Sequence, residues 1–327
     1  MVGAGCDHLI VDGFDIIGDV HGCADQLESL LAKLGYRLVA GVYAHPARQA
    51  VFVGYLIDRG PQQLRVLRIV KSMVDSGTAQ IVMGNHEFNA ICFALPDPRA
   101  DGEHLRPHND KNRRQHQAFL AQVTGDERAR YLEWFTCLPL WLDLGGIRVV
   151  HACWHEPSMK VVEQEFGSSR FGSEDQFVIA STKGEPLYEA VEVLLKGPEI
   201  SLVQHAQPPY VDKDGHQRDS ARLRWWNDRA VTLRDLAEIG SNFQGLDGRP
   251  YPSLPEIEVP ADERSYVYTG DTPVFYGHYW RQGPPKLGID WTARTACVDF
   301  SAVKGGSLMA YRWSGEPQLR AEHYLFA

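Results

Sequence analysis

Phe14-Asp15-Ile16-Ile17-Gly18-Asp19-Val20-His21-Gly22 decides how this chain is read. A short apolar run ends at a glycine, and Asp19 and His21 follow on the loop beyond it. The pattern recurs twice. Ala50 to Val53 runs into Gly54-Tyr55-Leu56-Ile57-Asp58-Arg59-Gly60, and Ile81-Val82-Met83 runs into Gly84-Asn85-His86-Glu87. Between these strands Leu27, Leu30, Leu31 and Leu34 recur at helical spacing up to Gly35, and Leu64, Leu67, Val70 and Val74 do so after Pro61. Alternating strands and helices predict an α/β fold. Each polar motif falls just past the carboxyl end of a buried strand, where open α/β sheets hold their ligands.

Further along, Trp141 to Asp143 and Ile147 to Val150 read as a strand pair joined at Gly145-Gly146 and leading to His151. Strand signals return at Val274 to Tyr276, before His278, then at Thr295 to Phe300 and Ser307 to Trp313, the last two joined across Gly305-Gly306. Asp97 to Gln117 is polar with little periodicity and reads as a surface loop; Arg113 and Arg114 with His104, His108 and His116 fit a charged loop better than a substrate lid. Residues 156–264 read as a helical and irregular insertion or lid over the active face of a single domain spanning 1–327. Val191 to Leu195 and Leu223 to Leu236 are its helix candidates.

The bulk properties exclude several classes. With 327 residues, 44% hydrophobic and 23% charged, the chain suits a globular protein with a large core. Its net charge of −9 argues against an electrostatic grip on nucleic acid. Six cysteines without C-x-x-C spacing read as reduced thiols, Cys153 among them as a buried structural one. Met1 to Asp12 lacks the apolar core of a signal peptide, and no run approaches a membrane span, so the expected location is the cytoplasm.

Asp, His and Asn are the ligands of a two-metal hydrolytic centre. Asp19 and His21 can hold one divalent ion, and Asn85, His151 and His278 another. Arg59 offers a planar fork matching a phosphoryl group. His86 suits a general acid for the leaving oxygen, with Asp58 fixing its tautomer, and Glu87 reads as an orienting residue. Arg222 and Arg224, just before Trp225-Trp226, are candidates for a second phosphate clamp or for solvated arginines beside a packed aromatic pair. Tyr279 and Trp280 wall the pocket or belong to the core.

The ordered set D-x-H-G, D-R-G, G-N-H-E, H and G-H resembles the calcineurin-like metallophosphoesterases, in particular the phosphoprotein-phosphatase branch with its bacterial Ser/Thr phosphatase and diadenosine-tetraphosphatase relatives. The likeness covers Phe14 to Asn89, Val149 to Cys153 and Val274 to Trp313, where Val298-Asp299-Phe300 and Gly305-Gly306 resemble a closing hairpin. It implies a two-sheet β-sandwich flanked by helices. It also implies two divalent ions (manganese first, with iron, zinc, magnesium or nickel as alternatives) and hydrolysis of phosphomonoesters of a protein or small molecule. A dinucleoside polyphosphate hydrolase and an inactive phospho-ligand binding module are the alternatives. The roles given above to Asp19, His21, Asn85, His151, His278, Asp58, Arg59 and His86 are those the resemblance implies.

Position 55 departs from that pattern, because the resemblance puts a metal-bridging aspartate where Tyr55 stands. Two dications ~4 Å apart repel by roughly 16 kcal/mol at an effective dielectric of ~20. A bridging carboxylate offsets that repulsion; a phenol, with one more distant oxygen, bridges poorly. The expectation is a weakened metal centre and low turnover. Three accounts fit: a single substitution in an otherwise intact site, a pseudophosphatase, or an enzyme with altered metal geometry.

Overall fold

The computed structural model describes residues 11–212, 215–240 and 243–327. The amino-terminal stretch up to residue 10, with Cys6, lies outside them. Among the described residues the sandwich strands are β1 (Gly13–Ile17), β2 (Arg48–Phe52), β3 (Ala79–Ile81), β4 (Trp141–Asp143), β5 (Arg148–Val150), β6 (Val274–Tyr276), β7 (Thr295–Cys297), β8 (Met309–Trp313) and β9 (Tyr324–Phe326). One sheet runs β9-β8-β1-β2-β3 and the other β7-β6-β5-β4. The β1, β2 and β3 strands are mutually parallel, as are β5, β6 and β7, so their carboxyl ends share one edge of the sandwich.

Period-two alternation builds two core layers from the same strands. Ile16, Val51 and Tyr311 are paired neighbours facing the other sheet, where Val149, Phe275 and Ala296 meet them. Ile17, Phe52 and Ala310, one register step on, face the helices. Helices α1 (Ala24–Lys33) and α2 (Gln63–Asp75) bury the leucine and valine stripes legible in the sequence and complete the β-α-β crossovers. A short hairpin, exposed Arg37–Val39 with half-buried Val42–Ala44, lies between α1 and β2.

Three expectations are corrected. Thr295–Cys297 and Met309–Trp313 do not form a hairpin: β7 runs parallel to β6 in one sheet, whereas β8 pairs antiparallel with β1 in the other. The glycines between them serve a crossing from sheet to sheet, through a short 3-10 turn at Ala302–Lys304. Asp97 to Gln117 is not all surface loop, because α4 (Asp110–Gln122) packs against α2 and buries Asn112, His116 and Phe119. Leu223 to Leu236 is not a helix. Ser220–Leu223 is a strand pairing with Glu199–Ser201 and Ala237–Glu238, and only Leu233–Leu236 is helical. There the backbone finds ladder partners on both sides, and Trp225 and Trp226 pack on Tyr276 of β6 instead of forming a helix face.

The region between β5 and β6 also contains α6 (Glu156–Phe166), α7 (Glu174–Ala180) and α8 (Pro186–Lys196), the last covering the expected Val191 to Leu195 helix. Helix α3 (Asn85–Ala94) follows β3, and α5 (Gly125–Thr136) follows α4.

A fully buried carboxylate ties the first sheet together. Asp15 on β1 accepts from Arg48 Nε of β2 at 3.1 Å and from Arg312 Nε of β8 at 2.8 Å. Removing one partner of such a group leaves buried charge uncompensated and costs roughly 3–5 kcal/mol. Asp15→Ala is therefore expected to lower the unfolding free energy by about 3 kcal/mol, at the low end because Arg312 is partly exposed. Urea unfolding measures this, and an unchanged midpoint would show that the clamp contributes nothing.

Candidate metal centre

The site is assembled from loops at the carboxyl ends of β1, β2, β3, β5 and β6, and strained backbone shapes it. His21, Tyr55, Asp58, Arg59 and His278 all have φ between 46° and 72°, the left-handed region that side chains other than glycine rarely occupy. Gly277 is required by proximity: a Cβ there would stand 2.1 Å from Asp19 Oδ1.

Most donors have their outer atoms fixed and their inner atoms aimed at one another. His21, buried after β1, gives Nδ1–H to the Ile57 carbonyl at 3.0 Å, which turns Nε2 inward. His151, fully buried after β5, gives Nδ1–H to the Val53 carbonyl at 2.6 Å. Burial holds this imidazole neutral, lowering it to about 3. Its Nε2 stands 3.3 Å from Asn85 Oδ1, a contact that becomes a hydrogen bond when the amide presents its nitrogen. Asp19 accepts the His278 N–H at 3.0 Å through Oδ2. Asp19 Oδ1 and His21 Nε2 are buried without a partner. Unpaired buried acceptors of this kind are what a cation site presents.

The centre of that shell is filled by the Tyr55 ring. Its centroid lies 4.4 Å from the His21 ring, 4.4 Å from His86, 4.3 Å from His151 and 5.8 Å from His278. The phenol oxygen is 2.8 Å from His278 Nδ1, and Arg222 Nη2 is 3.4 Å from His278 Nε2. Arginine can only donate, so His278 Nε2 accepts and its Nδ1–H is given to the Tyr55 oxygen. Burial pushes the phenol well above its ordinary range, with Asp19 adding to the rise, so it is a neutral group. Asp19, His21, Asn85, His151 and His278 surround this ring. Among the described residues no three His, Cys, Asp or Glu side chains converge on a point able to hold a metal ion. The donor types fit a metal pair; with tyrosine at 55 the space between them does not.

Glu87 holds the Tyr55 loop in place. It accepts the Tyr55 N–H at 3.1 Å, the Leu56 N–H at 2.8 Å and the Gly84 N–H at 3.0 Å, tying two strand-end loops together. Burial raises its carboxyl to about 7 against the pull of these bonds.

Beside the ring two histidines share one carboxylate. Asp58 Oδ2 accepts His86 Nδ1–H at 2.6 Å and His116 Nδ1–H at 2.9 Å. Burial alone would raise this carboxyl; the bonds from His116 and His86 outweigh burial and bring it down to about 2. Burial lowers the His86 imidazole below its ordinary value, against the raising pull of its bond to Asp58. His116, 1% exposed, was assigned by sequence to a surface loop. Asn112, His116 and Phe119 recur along one face of α4, and that spacing is the signal that could have found it.

Arg59 is exposed at the mouth, its Cζ 4.6 Å from the Trp280 ring centroid. Trp280 and Tyr279 flank the site, Tyr279 buried against Trp225 and Trp280 partly exposed beside His21. Arg222 reaches the site, but Arg224 does not: its charged neighbours are Glu238, Arg281 and Asp235.

A calcineurin-like phosphoesterase model matches residues 14–238. The chain is 57% identical over 74 residues to the asymmetrical bis(5'-nucleosyl)-tetraphosphatase of Halalkalibacterium halodurans, across 22% of this chain and 30% of that relative. It is 34% identical over 140 residues to the enzyme of that name from Oceanobacillus iheyensis, across 42% of this chain and 54% of the relative. It thus spans about a third to a half of those relatives' lengths. A symmetrical bis(5'-nucleosyl)-tetraphosphatase of a Janthinobacterium species is 29% identical over 303 residues, 90% of each chain. A protein serine/threonine phosphatase from Saccharomyces cerevisiae superposes with a TM-score of 0.50 at 13% identity, over 98% of this chain and 80% of that one, a likeness of fold. That family generally uses two divalent metals, and the strand-end loops, the His86–Asp58 pair and a family match over more than half of the sequence lead to one conclusion: the chain belongs to the calcineurin-like phosphoesterases.

Proposed function

We propose that this chain carries a phosphate-ester hydrolase site whose turnover Tyr55 holds low. The observation supporting this reading is the buried His86–Asp58–His116 group set beside Arg59, whose side chain is exposed at the mouth. Arg59 binds the phosphoryl oxygens, and His86 Nε2 delivers the proton to the departing oxygen while Asp58 fixes the ring. Arg222, reaching His278 from the segment between β5 and β6, supplies a second positive charge at the same mouth and supports reading residues 156–264 as an insertion over the site. The free thiols and the lack, among the described residues, of a helix long and apolar enough to cross a membrane are consistent with a cytoplasmic location.

For the substrate, the alignment over 90% of both chains with a symmetrical bis(5'-nucleosyl)-tetraphosphatase favours a dinucleoside polyphosphate over a simple phosphomonoester. Hydrolysis of diadenosine tetraphosphate to two ADP, or to ATP and AMP, would distinguish symmetrical from asymmetrical cleavage. The phenol at the centre of the shell favours the remaining reading, a phospho-ligand binding module.

Two experiments test this reading. Tyr55→Asp is expected to bind Mn²⁺ that the chain as given does not retain, and to raise p-nitrophenyl phosphate hydrolysis by orders of magnitude; metal analysis and a turnover assay read both. Equal inactivity across phosphomonoesters and dinucleoside polyphosphates, with phosphate binding kept, would replace the hydrolase by the binding module. His116→Ala removes one of the two bonds holding Asp58 near 2. A lowered carboxyl contributes stability above its unfolded value of 3.8 and loses it as pH falls toward 2, so the acid-unfolding midpoint should move to higher pH in the variant. A midpoint identical to that of the parent chain would show that His116 does not support the carboxylate.

A further inference from the structure

Tyr279, Trp280 and Arg281 follow His278, and the middle residue departs from its neighbours. Tyr279 and Arg281 are buried, whereas Trp280 is half-buried at the mouth of the site. Its φ of 54° lies in the left-handed region, as does the 58° of Ser301. Side chains other than glycine persist there only where the surroundings impose the shape. One carboxylate touches both residues. Asp299, 1% exposed, accepts the Trp280 N–H through Oδ2 at 2.6 Å and the Ser301 N–H through Oδ1 at 3.0 Å. The Asp299 carbonyl also accepts the Arg281 N–H at 3.0 Å, and Ser301 Oγ donates to the Arg281 carbonyl at 3.0 Å. These bonds fasten residues 280–281 to residues 299–301.

The indole placed in this way is covered by its neighbours. It stacks on the His21 ring at 5.2 Å, with Arg59 Cζ at 4.6 Å and Lys304 Nζ at 4.8 Å from its centroid. For Arg59 this contact matters most. The residue is exposed, and a long side chain in water loses rotamer freedom whenever it is fixed. An arginine grips a phosphoryl group as a planar fork, so the orientation of the plane sets how well it binds. The face on which the guanidinium rests fixes part of that orientation before an anion arrives.

We propose that Asp299 is a positioning residue for the anion fork: through the Trp280 backbone it sets the indole against which Arg59 presents its guanidinium. The inference rests on the phosphate-ester reading above and adds to it a residue that the sequence motifs leave without a role. Asp299 itself touches no substrate. It acts by reducing the freedom that Arg59 gives up on binding, which is how a preorganised contact gains affinity.

Isothermal titration of the full chain with orthophosphate, in a chelating buffer, tests this as a double-mutant cycle. Asp299→Asn leaves one acceptor for two N–H donors and removes a carboxylate. On charge alone the anion would then bind as well or better. The positioning role predicts the opposite sign, with binding roughly 3-fold weaker, the size of an exposed cation–ring contact. That loss should vanish in an Arg59→Ala background, where no fork remains to be misplaced. Asp15→Ala, which weakens the first sheet away from the mouth, should bind orthophosphate like the parent chain and so separates lost stability from lost positioning. Should the buried amide prevent folding, Trp280→Leu keeps Asp299 and removes the ring. An Arg59-dependent loss in that variant supports the chain of contacts, and unchanged affinity overturns it. Equal or tighter binding in Asp299→Asn, or a loss that persists without Arg59, overturns the positioning role while the phosphate-ester reading stands. Orthophosphate that binds no better to the parent chain than to Arg59→Ala removes both.

Discussion

The hydrogen bond from His151 to the Val53 carbonyl joins the two sheets at the edge where the chemistry is gathered. Val53 ends a strand of the first sheet and His151 follows a strand of the second, so a 2.6 Å contact sets how closely the two loop clusters approach. Nearby the Gly277 N–H donates to the His151 carbonyl at 2.8 Å, and the His278 N–H to Asp19, repeating the tie from the next strand. With these spans fixed, the loops cannot relax into easier backbone conformations. The run of left-handed residues follows from that constraint.

Tyr55 fills the space that the loops create. A shell of buried acceptors with nothing positive at its centre is unstable, since each unpaired acceptor costs ~1–3 kcal/mol. A phenyl ring fills the volume, contributes ~1.5–3 kcal/mol of apolar burial and gives His278 a hydrogen-bond partner. Replacing buried charge by well-packed apolar volume is commonly neutral or stabilising. The bonds to Asp58 come from His86 on α3, whose ring packs against Tyr55 at 4.4 Å, and from His116 on α4.

Much of this was legible in the sequence. The strand-end motifs and the two β-α-β units follow from period-two and helical spacing read together, whereas the set Asp19, His21, Asn85, His151 and His278 came from donor chemistry and the order of motifs in the family resemblance. What escaped depends on long-range pairing. Residues 295–313 look like a hairpin locally, and only competition between two sheets sends one strand to β6 and the next to β1. His116 was hidden because a polar helix with a three-residue buried face resembles a loop in composition. Arg222 and Arg224 are indistinguishable in sequence, and the end of the strand at Leu223 separates them, sending one toward His278 and the other toward Glu238.

The intact shell around Tyr55 also has a genetic consequence. Tyrosine and aspartate codons differ by a single base, so a gene for this chain lies one nucleotide change from a carboxylate at the centre of a ring of prepared donors. Glu87 anchors that loop through backbone N–H groups, so the anchor does not depend on which side chain stands at 55. A change between phenol and carboxylate at the centre of this shell is thus a single step at one codon, whereas the surrounding side chains, Asp19, His21, His151 and His278, each lie on a separate segment or position of the chain.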